Sequence, residues 1–558
     1  MGLAGHEALI SAPDEANERS RASSGHRLLL IDGCCTSFAK PLVKPYSKCM
    51  TSLLEQFSQQ NPLLVGAITD FCKLIAKEPK NERAAVSPRA VIVGGYVRDL
   101  LLGQEPKDAD VEVFGVSAER VQTILEQLFP GQVHDVGKAF GILKVHLSHG
   151  VEFDIAIPRT ESKTAPGHKG FAVNTNPFLS EKEASRRRDF TINAMSLDPL
   201  TGDLVDPWNG QADLKTRTLR VVDPKTFIDD PLRVYRAVQF LARFELNLDP
   251  TSCALMEQMV KDSHLKELSP ERVTDELTKL LLLAQRPSLG FELLRELGVI
   301  EADYPELQAL IGTLQEPEWH PEGDVWIHTM MVIDQAAKMI RREGNADFTR
   351  EEQLQTVFGA LCHDLGKPLT THRAEKEGVM RWRSPGHQEA GEAPTVALCS
   401  RLRFSESVSN AARLIALHHL RPGEYYLKKQ KGELTDASYA NAIRTLLKKT
   451  KPLNWRVLDA AAEADFRGRG FPDPDTRDYP YGALFRETII REKLDEEALH
   501  PLVMGHELIE LFHLEPGPYI GDLMRTIEHA RDQGTIKTKD EALVFIGDLI
   551  KTRGHKHD

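Results

Sequence analysis

Cysteine is scarce in this chain. Seven occur in 558 residues, at positions 34, 35, 49, 72, 253, 362 and 399. They have neither metal-ligand spacing nor the regular framework of a disulfide scaffold, so reduced thiols in a cytoplasmic protein are the expectation. No apolar run approaches about 18 residues, so neither a transmembrane helix nor a membrane partner is expected. The N-terminus lacks a charged segment followed by an apolar core, which argues against a signal peptide. Positive charge is also short: 70 Lys and Arg stand against 82 Asp and Glu, a formal net charge of −12. That excludes a protein coated in positive charge. It leaves nucleic acid open, because binding depends on a local basic patch rather than on the sum. No internal repeat is present.

What is there is ordinary for a globular protein: 41% apolar and 27% charged residues. The length exceeds what one core supports and suggests three or four domains. Residues 1–85 read as an N-terminal extension with one helix, the ordered chain starting near Met50 and apolar residues recurring at helical spacing from Leu53 to Lys77. Residues 86–222 alternate strands and helices and predict a small α/β domain with a mixed sheet. Strands are expected at 91–93, 141–147 and 151–158, a helix at 118–128, a polar loop over 160–180 and a helix starting near Ser185. Residues 223–315 turn almost wholly helical, with Ser269-Pro270-Glu271 as a helix start. A second helical block covers 316–470, and a helical tail covers 471–558. The fold class expected is therefore α+β, a mixed-sheet head followed by helical domains.

The chemistry concentrates first in residues 91–114. A buried strand leads into Gly94-Gly95, a short helix, and a second strand carrying Asp108 and Asp110. In a strand, residues i and i+2 share a face, so both carboxylates point one way. The diglycine before a helix N-terminus offers open N–H groups to an anion. A phosphate cradle beside paired carboxylates suits metal-assisted nucleotidyl transfer. Asp154 on the adjacent expected strand offers a third carboxylate. Downstream lie Arg186-Arg187-Arg188-Asp189, Asp206-x3-Gly210 with Arg220, and Asp229-Asp230-Pro231-Leu232-Arg233 with Arg236. Asp230, Arg233 and Arg236 are spaced i, i+3, i+6 along an expected helix, one face polar and the other packed. An Asp and an Arg held on a rigid helix can discriminate base edges.

A second concentration lies between 328 and 465: His328, the adjacent His363-Asp364, His387, His418 and Asp465. Imidazoles and carboxylates from different helices suit a divalent metal. The most basic window runs through Lys428, Lys429, Lys431, Arg444, Lys448, Lys449, Lys451 and Arg456, beside Tyr425, Tyr426 and Trp455. It reads equally as a phosphate-binding surface or a solvated helix face.

These blocks, in this order from about 90 to 478, resemble the class II CCA-adding enzymes, the tRNA nucleotidyltransferases related to bacterial poly(A) polymerase. The head resembles the polymerase-β-like nucleotidyltransferase fold of that family. The resemblance implies that Asp108 and Asp110 bind Mg²⁺, with Asp154 beside them. It implies that Gly95, Arg98 and Arg188 hold triphosphate and sugar, that Asp230 and Arg233 pair with the incoming base of CTP or ATP, and that Arg236 lies near the phosphates. It further implies tRNA as the partner, in a monomer or homodimer. One departure is Asp229, where the family usually has Glu. The second cluster resembles the HD phosphohydrolase superfamily, in the form appended to some CCA enzymes. This implies His328, His363, Asp364 and Asp465 as ligands of a divalent metal, Ni²⁺ and Mg²⁺ being the candidates. His387 and His418 are implied as further ligands or phosphate contacts. The implied activities are phosphatase, 2′-nucleotidase and 2′,3′-cyclic phosphodiesterase. The rival readings are a poly(A) polymerase, a CC-only or A-only enzyme, and an HD phosphohydrolase with a non-catalytic RNA-binding head.

Overall fold

The computed structural model describes residues 52–80, 87–137, 142–163, 171–495, 502–532 and 534–554. The expectation for residues 1–49 lies outside them. The stretch from Leu53 forms two helices, Leu53–Ser58 and Pro62–Ile75, instead of one. The cause is local: the Asn61 side chain accepts from the Leu63 N–H at 3.0 Å, and Pro62 occupies the first helical position. The second helix buries Ile68, Phe71 and Ile75 against the sheet and against the helix Ala118–Leu128.

Among the described residues, nine strands lie between residues 87 and 206: β1 Arg89–Val93, β2 Ala109–Phe114, β3 Val133–Gly137, β4 Ile142–His146, β5 Glu152–Ala156, β6 Arg159–Lys163, β7 Phe171–Thr175, β8 Ser196–Leu197 and β9 Leu204–Val205. Seven form one sheet in the order β3-β4-β5-β2-β1-β8-β9. Within it β2 and β5 run parallel and the other neighbours antiparallel, the mixed sheet expected. The polar loop expected over 160–180 instead holds the antiparallel pair β6–β7. Its composition hides it, because the ladder is made by backbone groups that polar side chains do not betray. The helix expected to begin near Ser185 ends there. It spans Glu181–Ser185 behind a Ser180–Glu183 capping box, so the arginine row follows its C-terminus.

Helices Leu232–Phe244, Pro250–Lys261, Pro270–Leu283 and Ser288–Glu296 follow closely on the periodicity. Ser269 stands at the N-cap of its helix, but its side chain makes no capping bond. Phe190 joins head to body, edge-on to Phe227 at 5.7 Å and to Phe240 at 5.9 Å. One continuous apolar core runs from Phe57 through the sheet to Ile489, and the helices after residue 502 form their own.

In the second helical block, Val325–Met339, Arg350–Cys362, Glu406–His418 and Trp455–Arg467 pack together. Two glycines permit the approach. A Cβ on Gly359 would lie 2.2 Å from Ile415 Cδ1, and one on Gly468 would lie 2.5 Å from Val332 Cγ2. The helical reading missed a hairpin here, His372–Lys376 paired with Val379–Arg383.

Candidate functional site

Two sites emerge, one in the head and one in the second helical block. In the head, Asp110 and Asp154 are directly paired residues of parallel β2 and β5. Lys144 on β4 reaches Asp154 at 3.1 Å. Asp108 precedes β2 and is exposed, with Asp110 open on the same side. Desolvation on the cleft floor pushes the Asp110 carboxyl up; Asp154, Asp108 and Glu112 add to this and Arg188 opposes it. Crowded carboxylates whose ionised form is disfavoured are a fitting donor set for a hard divalent cation, which relieves the repulsion.

Gly94 is at φ +78°, and a Cβ there would approach Arg188 Nη1 to 2.8 Å and Asp110 Oδ2 to 3.8 Å. The turn therefore lies between the arginine and the carboxylate. Arg188 is anchored by Glu112, whose Oε2 is 3.7 Å from Nη2, and Arg187 reaches Glu112 Oε1 at 3.4 Å. Glu112 is the residue that sequence reasoning passed over. Its signal was the same i+2 spacing that paired Asp108 with Asp110.

Arg98, which the resemblance gives to triphosphate and sugar, lies beside Gly95. It is buried, with Nη2 2.7 Å from Asp99 Oδ1 and Nη1 2.7 Å from Asn193 Oδ1, and its guanidinium lies over Phe244 at 4.5 Å. Its visible work is to fix the diglycine helix against the body; the Gly95 N-terminus remains beside it.

Asp230 lies before the helix rather than on it, its carboxylate accepting from the Leu232 N–H at 3.3 Å. Both of its oxygens stand 3.2 Å from Arg272 Nη2. Arg233 donates to the carbonyls of Thr226 and Arg187, at 2.6 and 2.5 Å. Arg236 grips buried Asp189 at 2.6 Å, which overcomes burial and lowers that carboxyl to about 2. Backbone and side chains of 187–189 thus couple the carboxylate strand to the helix Leu232–Phe244.

In the second site, His328, His363, Asp364, His387 and Asp465 converge. His328 Nε2 is 3.1 Å from Asp465 Oδ1 and 3.3 Å from His363 Nε2, and His363 Nε2 is 3.1 Å from Asp364 Oδ2. His387 Nε2 is 3.4 Å from Asp364 Oδ1. The structure places His419 in this cluster, where the sequence reading had named His418. His419, His387 and Asp364 form one compact donor group, and His328, His363 and Asp364 another. His418 instead lies near Arg421, Lys449 and Arg413. Burial, aided by these cations, takes it down to about 4.

The imidazoles are aimed from behind. Nδ1 of His363 faces Ala360 O at 2.6 Å, Nδ1 of His387 faces Ser384 O at 2.8 Å, and Nδ1 of His419 faces Ala416 O at 3.0 Å. Carbonyls only accept, so Nδ1 carries a proton in each ring, and whenever a ring is neutral its Nε2 presents a lone pair inward. His328 sits between Glu322 on Nδ1, at 2.9 Å, and Asp465 on Nε2. Burial opposes its protonation, yet the two carboxylates raise its proton affinity overall. Burial lowers His419 to about 3, keeping it neutral. Asp364 is held well below the usual carboxylate range: burial opposes ionisation, but His363 and Lys367 outweigh it. Asp364 Oδ1 and His387 Nε2, 3.4 Å apart, are buried without a hydrogen-bond partner, while Asp364 Oδ2 meets Lys367 Nζ at 2.5 Å. Inward nitrogens around an ionised carboxylate with one oxygen still free fit a divalent cation with N and O ligands. Among the described residues, every compact group of three such donors lies in this region of the chain.

Sequence families agree with this division. The poly A polymerase head domain matches residues 90–220, the probable RNA and SrmB-binding site of polymerase A matches 245–311, and the HD domain matches 325–460. The multifunctional CCA protein of Dechloromonas aromatica is 39% identical over 403 residues, covering 70% of this chain and 88% of the relative. That of Stenotrophomonas maltophilia is 35% identical over 437 residues, covering 78% and 96%. Among solved structures, the Bacillus stearothermophilus CCA-adding enzyme in complex with CTP aligns with TM-score 0.58 at 21% identity, covering 91% of this chain and all of that one. The Thermotoga maritima CCA-adding enzyme complexed with tRNA aligns with TM-score 0.54 at 19% identity, covering 89% and 99%. With a nucleotidyltransferase head, a helical body and an HD domain in this order, the chain belongs to the multifunctional CCA protein family.

Proposed function

We propose that this enzyme adds C, C and A to the 3′ end of tRNA from CTP and ATP, and that its HD site hydrolyses phosphate esters at RNA ends. The observation that carries the first part is the coupling just described. Asp110 on β2, Arg188 beside it and the Asp230–Arg272 pair are linked through one segment, 187–189. A nucleotide lying along that segment would meet Arg188 with its phosphates and Asp230 with its base. Mg²⁺ held by Asp108 and Asp110 supplies charge neutralisation and hydroxyl activation. Asp230 offers acceptors to the exocyclic amino group at C4 of cytosine or C6 of adenine, where uracil and guanine carry a carbonyl. A carboxylate left unpaired would reject a base lacking that donor. Arg233, engaged by the carbonyls of Thr226 and Arg187, would position this reader.

At the HD site, His328, His363, Asp364 and Asp465 would hold a divalent metal, with His387 and His419 on the far side of Asp364. Bound there, the metal supplies Lewis-acid activation of a phosphate ester. Lys367 Nζ, 2.5 Å from Asp364 and 2.7 Å from Gln315 Oε1, adds fixed positive charge for an anionic substrate. The imidazole-rich donor set favours Ni²⁺ over Mg²⁺, and a tRNA substrate would place both reactions in the cytoplasm.

The deciding experiment incubates the protein with tRNA ending at the discriminator base, CTP and ATP. A three-nucleotide product is expected. A long A-tail, or a stop after one or two residues, would establish one of the rival readings instead.

A further inference from the structure

We infer that the hairpin 372–383 and Trp319 form a landing platform for the single-stranded 3′ end of an RNA, delivering its terminal phosphate to the HD site. This rests on the reading of that site as a phosphohydrolase. The hairpin interrupts an otherwise helical block and is rooted in the metal-ligand cluster on both sides. Before it lies Lys367, in contact with Asp364. After it, Ser384 accepts from His387 through its carbonyl and joins Thr371 through its hydroxyl at 2.7 Å, closing the hairpin base. Trp319 is connected from the other direction. Its neighbour His320 meets Glu322 at 2.9 Å, and Glu322 in turn holds His328.

The platform combines rings with cations. Lys376 Nζ and the Arg381 guanidinium lie 5.1 and 5.2 Å from the Trp319 ring centre, and Arg373 lies 5.9 Å from that of Trp382. Trp319 remains 37% exposed. Arg383 is exposed, with no ion-pair partner among the described residues. The hairpin carries four Arg and Lys against two Glu, in a chain whose net charge is −12. Only a few bonds fix it to the body: Glu316 accepts from the Trp382 N–H at 2.9 Å, and Arg381 pairs with Glu316 and Glu318. Val379 and Met380 are half exposed on it. Exposed aromatic and apolar faces interleaved with cations suit unstacked bases and their phosphates, which single-stranded ends offer and duplex RNA does not. A protein partner with an acidic face is the competing occupant.

The test uses the full-length protein and a single-stranded RNA of about eight nucleotides, within the span of such sites. The RNA carries a 3′-terminal phosphate and 4-thiouridine near that end. Photo-crosslinking is expected to map to peptides containing Trp319 or residues 372–383. No cross-link to either peptide overturns the platform and favours the protein partner. With a 2′,3′-cyclic phosphate on the same RNA, Trp319→Ala and Arg373→Ala/Arg383→Ala are expected to lower kcat/KM about tenfold, through KM, relative to a 2′,3′-cyclic mononucleotide. Equal loss on both substrates would make the hairpin a structural element and overturn the proposal. Retained cross-linking without hydrolysis by the unaltered protein would overturn the phosphohydrolase reading alone.

Discussion

Asp230 and Arg272, 42 residues apart, meet so that a single guanidinium nitrogen stands 3.2 Å from both carboxylate oxygens. The arginine orients the carboxylate that is proposed to read the base. Both side chains are partly exposed, so the pair itself adds at most about 1 kcal/mol to stability. Arg272→Ala is therefore expected to leave the melting temperature within about 3 °C of the unaltered value. Selection of CTP and ATP over UTP and GTP should fall about tenfold or more. Single-nucleotide incorporation kinetics measure this; unchanged selection would remove Asp230 orientation from the mechanism.

The two sites are expected to act independently. Asp110→Ala should reduce nucleotide addition by about three orders of magnitude or more, through loss of the electrostatic and metal-binding carboxylate. It should spare phosphate-ester hydrolysis, since no residue is shared. Asp364→Ala should do the reverse. Parallel assays of both activities on each variant decide the point, and joint loss in either would contradict it.

The adjacent histidines should separate sharply. His419→Ala removes a buried imidazole whose Nε2 joins Asp364 and His387, and is expected to reduce hydrolysis and bound metal by about 10- to 100-fold. His418→Ala should leave bound metal unchanged. Metal content after equilibrium dialysis distinguishes them without reference to turnover.

Asp334 and Asp459 give a stability signature. Asp459 is buried and Asp334 half-buried, and desolvation pushes both up to about 6. Each binds more protons folded than unfolded between the ordinary value of 3.8 and about 6. Stability therefore falls as pH rises through that window, by up to about 3 kcal/mol per group when ionisation is complete. Asp459→Asn replaces a carboxylate 2.6 Å from Arg486 Nη1 by a neutral amide whose oxygen can still accept. Its melting temperature should decline less between pH 4 and pH 7 than that of the unaltered protein. An equal slope would show that Asp459 does not titrate in this range.

Much of the fold was legible because local spacing carries it. The helices 232–244, 270–283 and 288–296 and the strands around Asp110 and Asp154 follow from apolar periods of 3.6 and 2. The β6–β7 pair and the hairpin 372–383 were not legible. One strand of each pair is polar, the apolar residues of the other (Phe171-Ala172-Val173, Val379-Met380) are too few to show a period, and the pairing is made by backbone groups that look alike in every sequence. The break at Asn61-Pro62 was written in the chain, but a sustained helical period masked it.

The sequence by itself determined the chemistry present: two carboxylates on one strand face, a row of arginines, Asp230 three residues before Arg233, and histidines flanking an HD pair. The tertiary structure decided which of these can act together. Arg98 turned inward because Asp99, Asn193 and two phenylalanine rings satisfy it there, while Glu112 became the anchor of Arg187 and Arg188. His418 and His419 are chemically identical neighbours at one helix end, about 100° apart around the axis. The helix Glu406–His418 packs on Arg350–Cys362, closely enough that Ile415 leaves no room for a Cβ on Gly359, and in that packing His419 rather than His418 joins the His–Asp cluster. That packing is a property of two helices in contact, and neither helix encodes it alone.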